Sequence, residues 1–103
     1  MNFGACVPIL RMYDEEKSKD FYLGFLGFTL DFEHRFEPNT PLYAGLSLGE
    51  ARIHLSEHHG DAAPGSSVRI VVDDIDGYHA QITTKSYKYY RPGIELMPWV
   101  FAK

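Results

Sequence analysis

VPILRMYDEEKSKDFYLGFLGF, residues 7–28, reads as a strand, a capped helix and a stop in direct succession. The strand starts at Cys6 and ends at Met12 (CVPILRM), a run rich in β-formers. Asp14 follows, and its carboxylate is placed to accept the free amides of a helix's first turn. Glu15 and Glu16 then stand where the helix macrodipole favours anions. Phe21, Tyr22, Phe25 and Leu26 fall at helical spacing on one face, and Gly27 is placed to end the helix.

Three further strands are expected downstream, over residues 28–36 (FTLDFEHRF), 42–48 (LYAGLSL) and 51–56 (ARIHLS). The turns Pro38-Asn39-Thr40-Pro41 and Gly49-Glu50 separate them, and connections this short predict an antiparallel run. Residues 5–57 thus form a βαβββ unit, and the polar, Gly- and Pro-containing residues 58–66 are a linker. Residues 68–73 (VRIVVD) restart the pattern as a strand, and Asp74 heads a helix carrying Ile75, Tyr78 and Ile82 on one side. A strand over residues 87–91 and an apolar run over 94–101 containing Pro98-Trp99 complete a second, shortened βαβ unit over 67–103. The expected fold class is α+β: one domain over residues 1–103, built as a βαβββ repeat whose second copy is incomplete.

A chain of 103 residues is long enough for one small core and too short for two domains. Its 45% hydrophobic and 23% charged residues exclude a disordered chain. A net charge of -4 without a Lys/Arg cluster excludes the electrostatic footprint of nucleic-acid binding. Cys6 is the single cysteine, so there is no internal disulfide, and no basic segment followed by an apolar run opens the chain; a cytoplasmic protein is expected. No apolar stretch approaches the roughly 20 residues that cross a bilayer.

The segment 7–28 resembles the opening of proteins of the glyoxalase/bleomycin resistance protein/dioxygenase superfamily, the vicinal oxygen chelate group. VRIVVDDID, residues 68–76, and the Pro98-Trp99 pair resemble its bleomycin-resistance branch in particular, and the resemblance spans residues 5–99. It implies two βαβββ units packed edge to edge, a sheet curled around a ligand cavity, and a homodimer. Members of that branch continue past Pro-Trp with a further strand pair, which the residues 100–103 (VFAK) do not begin, so the chain is expected to be truncated at its C-terminus. Loss of one base in a Trp-Gly codon pair would turn Trp-Gly-Val-Arg-Glu into the Trp-Val-Phe-Ala-Lys of residues 99–103; a naturally short or trimmed chain is the alternative. Sheet edges left open by a missing hairpin would favour strand-swapped dimers.

In metal-dependent relatives, the resemblance implies ligand positions that fall here on Val7, His54 and Ser67, with a fourth in the absent hairpin. Only His54 is a metal donor, whereas a catalytic divalent ion needs three or more in fixed geometry. Neither metal nor other cofactor is therefore expected, and His54 is more simply a histidine of the cavity wall. Residues two apart on a strand share a face. With His54 and Ser67 facing inward, Arg52 and Arg69 join them in the bowl, while Ile53, Leu55, Val68 and Ile70 pack under the helices. By the same parity Val7, Ile9 and Arg11 point inward and Leu10 and Met12 lie under the helix.

Phe32, Phe36, Tyr43 and Trp99 offer stacking surface for planar rings, with the arginines as hydrogen-bond donors. The candidate ligand-binding residues are Phe32, Phe36, Tyr43, Arg52, His54, Arg69 and Trp99. No catalytic residue is proposed: Cys6 lacks a sequence-local base, and neither a phosphate-binding loop nor a nucleophile elbow is present. The expected function is metal-independent binding and sequestration of a small molecule, bleomycin-type antibiotic resistance by resemblance, with the acidic net charge favouring a cationic ligand. The alternative is a metal-dependent glyoxalase- or dioxygenase-type enzyme of the same superfamily.

Overall fold

The computed structural model describes residues 1–85 and 92–93, which fall into two units, Met1–Val71 and Val72–Lys103. In the first unit β1 (Ile9–Arg11) leads to helix α1 (Glu15–Lys19), and β2 (Thr29–His34), β3 (Tyr43–Leu48) and β4 (Ala51–Ser56) follow. They make one four-stranded sheet in the order β1-β4-β3-β2. β4 runs parallel to β1, whereas β3 is antiparallel to both β2 and β4. This is the expected βαβββ order, and the fold is α+β with a curved, unclosed sheet.

Local chemistry fixes the helix. Asp14 has extended backbone, and its Oδ1 accepts from the Lys17 amide at 2.9 Å, which satisfies one of the orphan donors of the first turn. After Lys19 the backbone widens into a π-helical stretch, Asp20–Phe25, closed by the Leu26 amide on the Phe21 carbonyl at 2.9 Å. Tyr22, Leu23 and Leu26 of this stretch pack against the core. Gly27, at φ 89°, ends the helix in a backbone region that side-chain-bearing residues avoid.

The helix side of the sheet holds the core. Leu10, Met12, Phe28, Leu42, Leu46, Ile53 and Leu55 are buried together there, each burial stabilising by roughly 1.5–3 kcal/mol. Leu10 and Met12 of the first strand region and Ile53 and Leu55 of β4 thus lie where period-two alternation places them. An ion-pair network clamps the helix to β2: Lys19 Nζ reaches Glu15 at 3.0 Å and Glu33 at 2.9 Å, and Arg35 pairs with Glu15. Hydrogen bonding to Lys19 holds the Glu15 carboxyl below its ordinary range, and the bond to Glu33 raises Lys19. These groups are about one third exposed, so each pair contributes only about 0.2–1 kcal/mol.

In the second unit α2 (Ile75–Thr83) is capped by Asp74, whose Oδ1 accepts from the Gly77 amide at 2.9 Å. Ile82 is buried as expected, but Ile75, at the first helical position, is half exposed. The strand expected over residues 68–73 joins no ladder among the described residues. Val68 and Ile70, expected beneath a helix, are instead 40% and 44% exposed, because without a ladder no alternation is imposed on them. The strand expected over 87–91, the apolar run over 94–101 and Trp99 lie outside the described residues. No helix among the described residues is long and apolar enough to cross a membrane.

Candidate functional site

The face of the sheet away from the core is assigned by the strand register. Ile9 of β1 pairs with His54 of β4, His54 pairs with Gly45 of β3, and Gly45 pairs with Phe32 of β2. Directly paired residues point to the same side, so Phe32, Gly45, His54 and Ile9 form one row across the open face. The neighbouring row holds His34, Tyr43, Ser56 and Arg11.

Phe32 reaches this row because of an irregularity. Strict alternation from Leu30, which packs on the core, would send Phe32 to the core as well. Leu30 pairs with Leu46 and Phe32 with Gly45, so Asp31 is an extra residue, a β-bulge. It inverts the parity of the rest of β2. Glu33 consequently turns to the helix side, where it meets Lys19, and His34 turns to the open face. The Asp31 carboxylate accepts from Ser47 Oγ at 3.0 Å, which pins the bulge to β3.

Across the strands the three aromatic rings interlock. Phe32 stacks on Tyr43 with centroids 6.3 Å apart, and its ring stands edge-on to His54 at 5.3 Å. Tyr43 is edge-on to His54 at 5.2 Å, and its hydroxyl lies 2.6 Å from His54 Nδ1. Burial, with the Asp61 charge adding to it, raises the Tyr43 hydroxyl above its usual range. A protonated tyrosine hydroxyl can both donate and accept, so it serves this ring nitrogen in either role. Gly45 makes room for this cluster, since a Cβ there would lie 2.1 Å from Phe32 Cε2.

A second group of rings continues from the first. Phe36 is edge-on to His34 at 4.9 Å and to His58 at 6.2 Å. With Tyr43 and Asp61 these residues line a cleft of about 270 Å³. Asp61 is held there by Ser56, whose fully buried Oγ donates to Asp61 Oδ2 at 2.6 Å and accepts from the His58 amide at 3.0 Å. The turn at residues 58–61, expected to be part of a polar linker, therefore forms a wall of the cleft.

Of the seven residues proposed from the sequence, Phe32, Tyr43 and His54 form one cluster, and Phe36 belongs to the adjoining cleft. Arg52 and Arg69 line a different cleft of about 440 Å³, together with Cys6, Pro8 and Glu50. Trp99 is outside the described residues. Among the metal-ligand positions implied by resemblance, His54 bonds Tyr43 and Ser67 is exposed. No group of three His, Cys, Asp or Glu side chains able to hold a metal occurs among the described residues. Sequence reasoning missed Gly45, His34, His58 and Asp61. A glycine inside a strand, which marks close approach by another group, was the signal that could have found the first.

The chain belongs to the glyoxalase superfamily: its residues 1–102 match the family described as glyoxalase superfamily protein. Among solved structures it is similar to the bleomycin-binding protein of bleomycin-producing Streptomyces verticillus, complexed with copper(II)-bleomycin. The two are 31% identical with a TM-score of 0.62, over 82% of this chain and 65% of that one. This chain therefore spans just under two thirds of that protein's length. A member of the glyoxalase/bleomycin resistance protein/dioxygenase superfamily from Sphaerobacter thermophilus is 23% identical with a TM-score of 0.64, over 95% of this chain and 82% of that one. A glyoxalase/bleomycin resistance protein from Streptomyces sp. CB03234 is 23% identical with a TM-score of 0.59, over 78% and 72%. These last two show the fold. No curated protein matches the sequence.

Proposed function

We propose that this protein binds and sequesters a planar, bleomycin-type small molecule without a metal of its own, as a cytoplasmic homodimer. The observation that carries the reading is the interlocked Phe32–Tyr43–His54 cluster, placed on the open face by the Asp31 bulge and seated over Gly45. Aromatic surface is ordinarily spent on a core; here Phe32 and Phe36 remain 44% and 76% exposed, which leaves their rings free to stack on a flat ligand. Asp61 in the adjoining cleft and a net charge of -4 favour a cationic one. The similarity to a protein complexed with copper(II)-bleomycin supports the same ligand class. Val7 and Ser67, at the ligand positions of metal-dependent relatives, supply no donor for a divalent ion of that type.

Binding of this kind needs no bond to be made or broken; withdrawal of the compound from solution is the whole action. The experiment is a calorimetric titration of the protein with copper-loaded and copper-free bleomycin, beside nickel, zinc and manganese. Saturable uptake near one drug molecule per subunit, lost in Phe32→Ala and Tyr43→Ala, supports the proposal. Stoichiometric metal uptake without drug uptake refutes it and points to a metal-dependent enzyme. Sedimentation of the same samples reports the dimer.

A further inference from the structure

The second cleft on the first unit has a chemistry opposite to that of the aromatic one. Arg52, at the start of β4, and Arg69 both line it. The first unit has two other arginines, and both are engaged: Arg11 donates to the Glu57 carbonyl at 2.8 Å and lies 4.8 Å over the Tyr13 ring, while Arg35 pairs with Glu15 and donates to the Thr40 carbonyl at 2.7 Å. The side chains of Arg52 and Arg69 have no hydrogen-bond or ion-pair partner among the described residues. Glu50 lines the same cleft without pairing to either. The cleft lining thus carries two exposed arginines without a side-chain partner among the described residues and one glutamate, in a chain whose net charge is -4.

We infer that this cleft is an anion subsite that takes an oxyanion, carboxylate or phosphoryl, of a small-molecule ligand. Guanidiniums match both groups through paired N–H donors, and such charge-assisted bonds are about twice as strong as neutral ones. Pro8 and Cys6 supply a wall with little hydrogen-bonding capacity of its own, which leaves the arginines as the donors a ligand meets. The inference does not depend on the aromatic-ligand reading, because no residue lining this cleft also lines the aromatic one.

Cys6 makes the cleft testable, because it is the only thiol in the chain and it is exposed in the cleft wall. Its rate of reaction with the dianionic 5,5′-dithiobis(2-nitrobenzoate) is compared with that of the neutral 4,4′-dithiodipyridine, each normalised to a free cysteine derivative. In both reactions the thiolate forms a mixed disulfide, and one aryl thiolate leaves as the reagent's S–S bond breaks. The normalised ratio is expected to favour the dianion by about threefold or more. Arg52→Gln and Arg69→Gln should each lower it and Glu50→Gln should raise it; dividing by the rate with the neutral reagent removes whatever these substitutions change at the thiol itself, and far-ultraviolet circular dichroism reports the fold. Inorganic phosphate and acetate, each against chloride at equal ionic strength, separate the two sources: selective slowing of the dianion by phosphate identifies a phosphoryl group, and by acetate a carboxylate. A ratio equal to that of the free thiol, indifferent to both arginine substitutions and to both anions, overturns the inference, and drug titration with Arg52→Gln shows separately whether the aromatic site still binds.

Discussion

Substituting Gly45 by alanine sets the backbone's preference against the site's geometry. The new Cβ would stand 2.1 Å from Phe32 Cε2, 2.6 Å from Cδ2 and 2.7 Å from Cζ, so the ring must retreat by about 1.5 Å to reach ordinary contact. Because Phe32 is 44% exposed, the ring swings outward and the backbone stays in place. It then loses its contacts with Tyr43 and His54, worth about 0.5–1.5 kcal/mol each. Replacing glycine in a strand interior returns about 0.5–1 kcal/mol, so Gly45→Ala alone is expected to destabilise by up to roughly 2.5 kcal/mol. In a Phe32→Ala background only the backbone gain remains, and the same substitution should stabilise by about 0.5–1 kcal/mol. Urea unfolding followed by far-ultraviolet circular dichroism, on the four proteins of the cycle, measures both. If Gly45→Ala changes stability equally in the two backgrounds, to within about 0.3 kcal/mol, the glycine does not serve the ring and the reasoning fails.

Deleting Asp31 should leave the fold intact and Phe32 on the open face, because the deletion converts two residues opposite one into a regular pair; loss of drug binding with misfolding would contradict this register. Ser56→Ala removes both hydrogen bonds that hold Asp61 and the His58 amide and should cost about 1–3 kcal/mol; amide exchange at residues 58–61 should quicken before the sheet opens. The Glu15–Lys19 pair gives stability a plateau in pH. Glu15 is lowered in the folded state, so its contribution is complete above its ordinary value of 4.5 and vanishes as pH falls through the lowered one. Lys19 and Tyr22 are raised, Lys19 by bonding to Glu33 and Tyr22 by burial; their contributions are complete below 10.5 and 10.0 and vanish as pH rises through the raised values. Glu15→Gln should lose about 0.5 kcal/mol at neutral pH and flatten the acid limb, as unfolding midpoints from pH 3 to 7 would show.

Much of the first unit was legible because its signals are local. Asp14 and Gly27, like Asp74 in the second unit, act within one turn of chain, and the burial of Leu10, Met12, Ile53 and Leu55 follows from alternation in ladders without irregularities. The bulge at Asp31 was not legible, since an aspartate in a strand carries no mark of being unpaired. With it went the true reason that Phe32 and His34 face outward. The roles of His58 and Asp61 were hidden for a different reason: they depend on Ser56, a buried hydroxyl whose partner lies in what composition describes as a polar linker. Alternation also failed for Val68 and Ile70, because that rule holds only where a ladder enforces it.

The sheet order has a bearing on how the chain reaches this structure. β1 is first in sequence, yet among the described residues its one ladder is with β4, the last strand of the unit. During synthesis β2, β3 and β4 can close as a meander through short loops, while the segment from Ile9 to Arg11 waits for a partner that has not yet been made. Its three-residue ladder closes the largest loop in the sheet and adds the fewest bonds, so it forms late and opens early. Leu10 and Met12 enter the core only at that point, and until then Leu55 and Ile53 wait beside an unfilled edge. Pulsed hydrogen exchange during refolding would find the amides that bond β3 and β4 to each other protected before the His54 amide, which points from β4 to the Pro8 carbonyl.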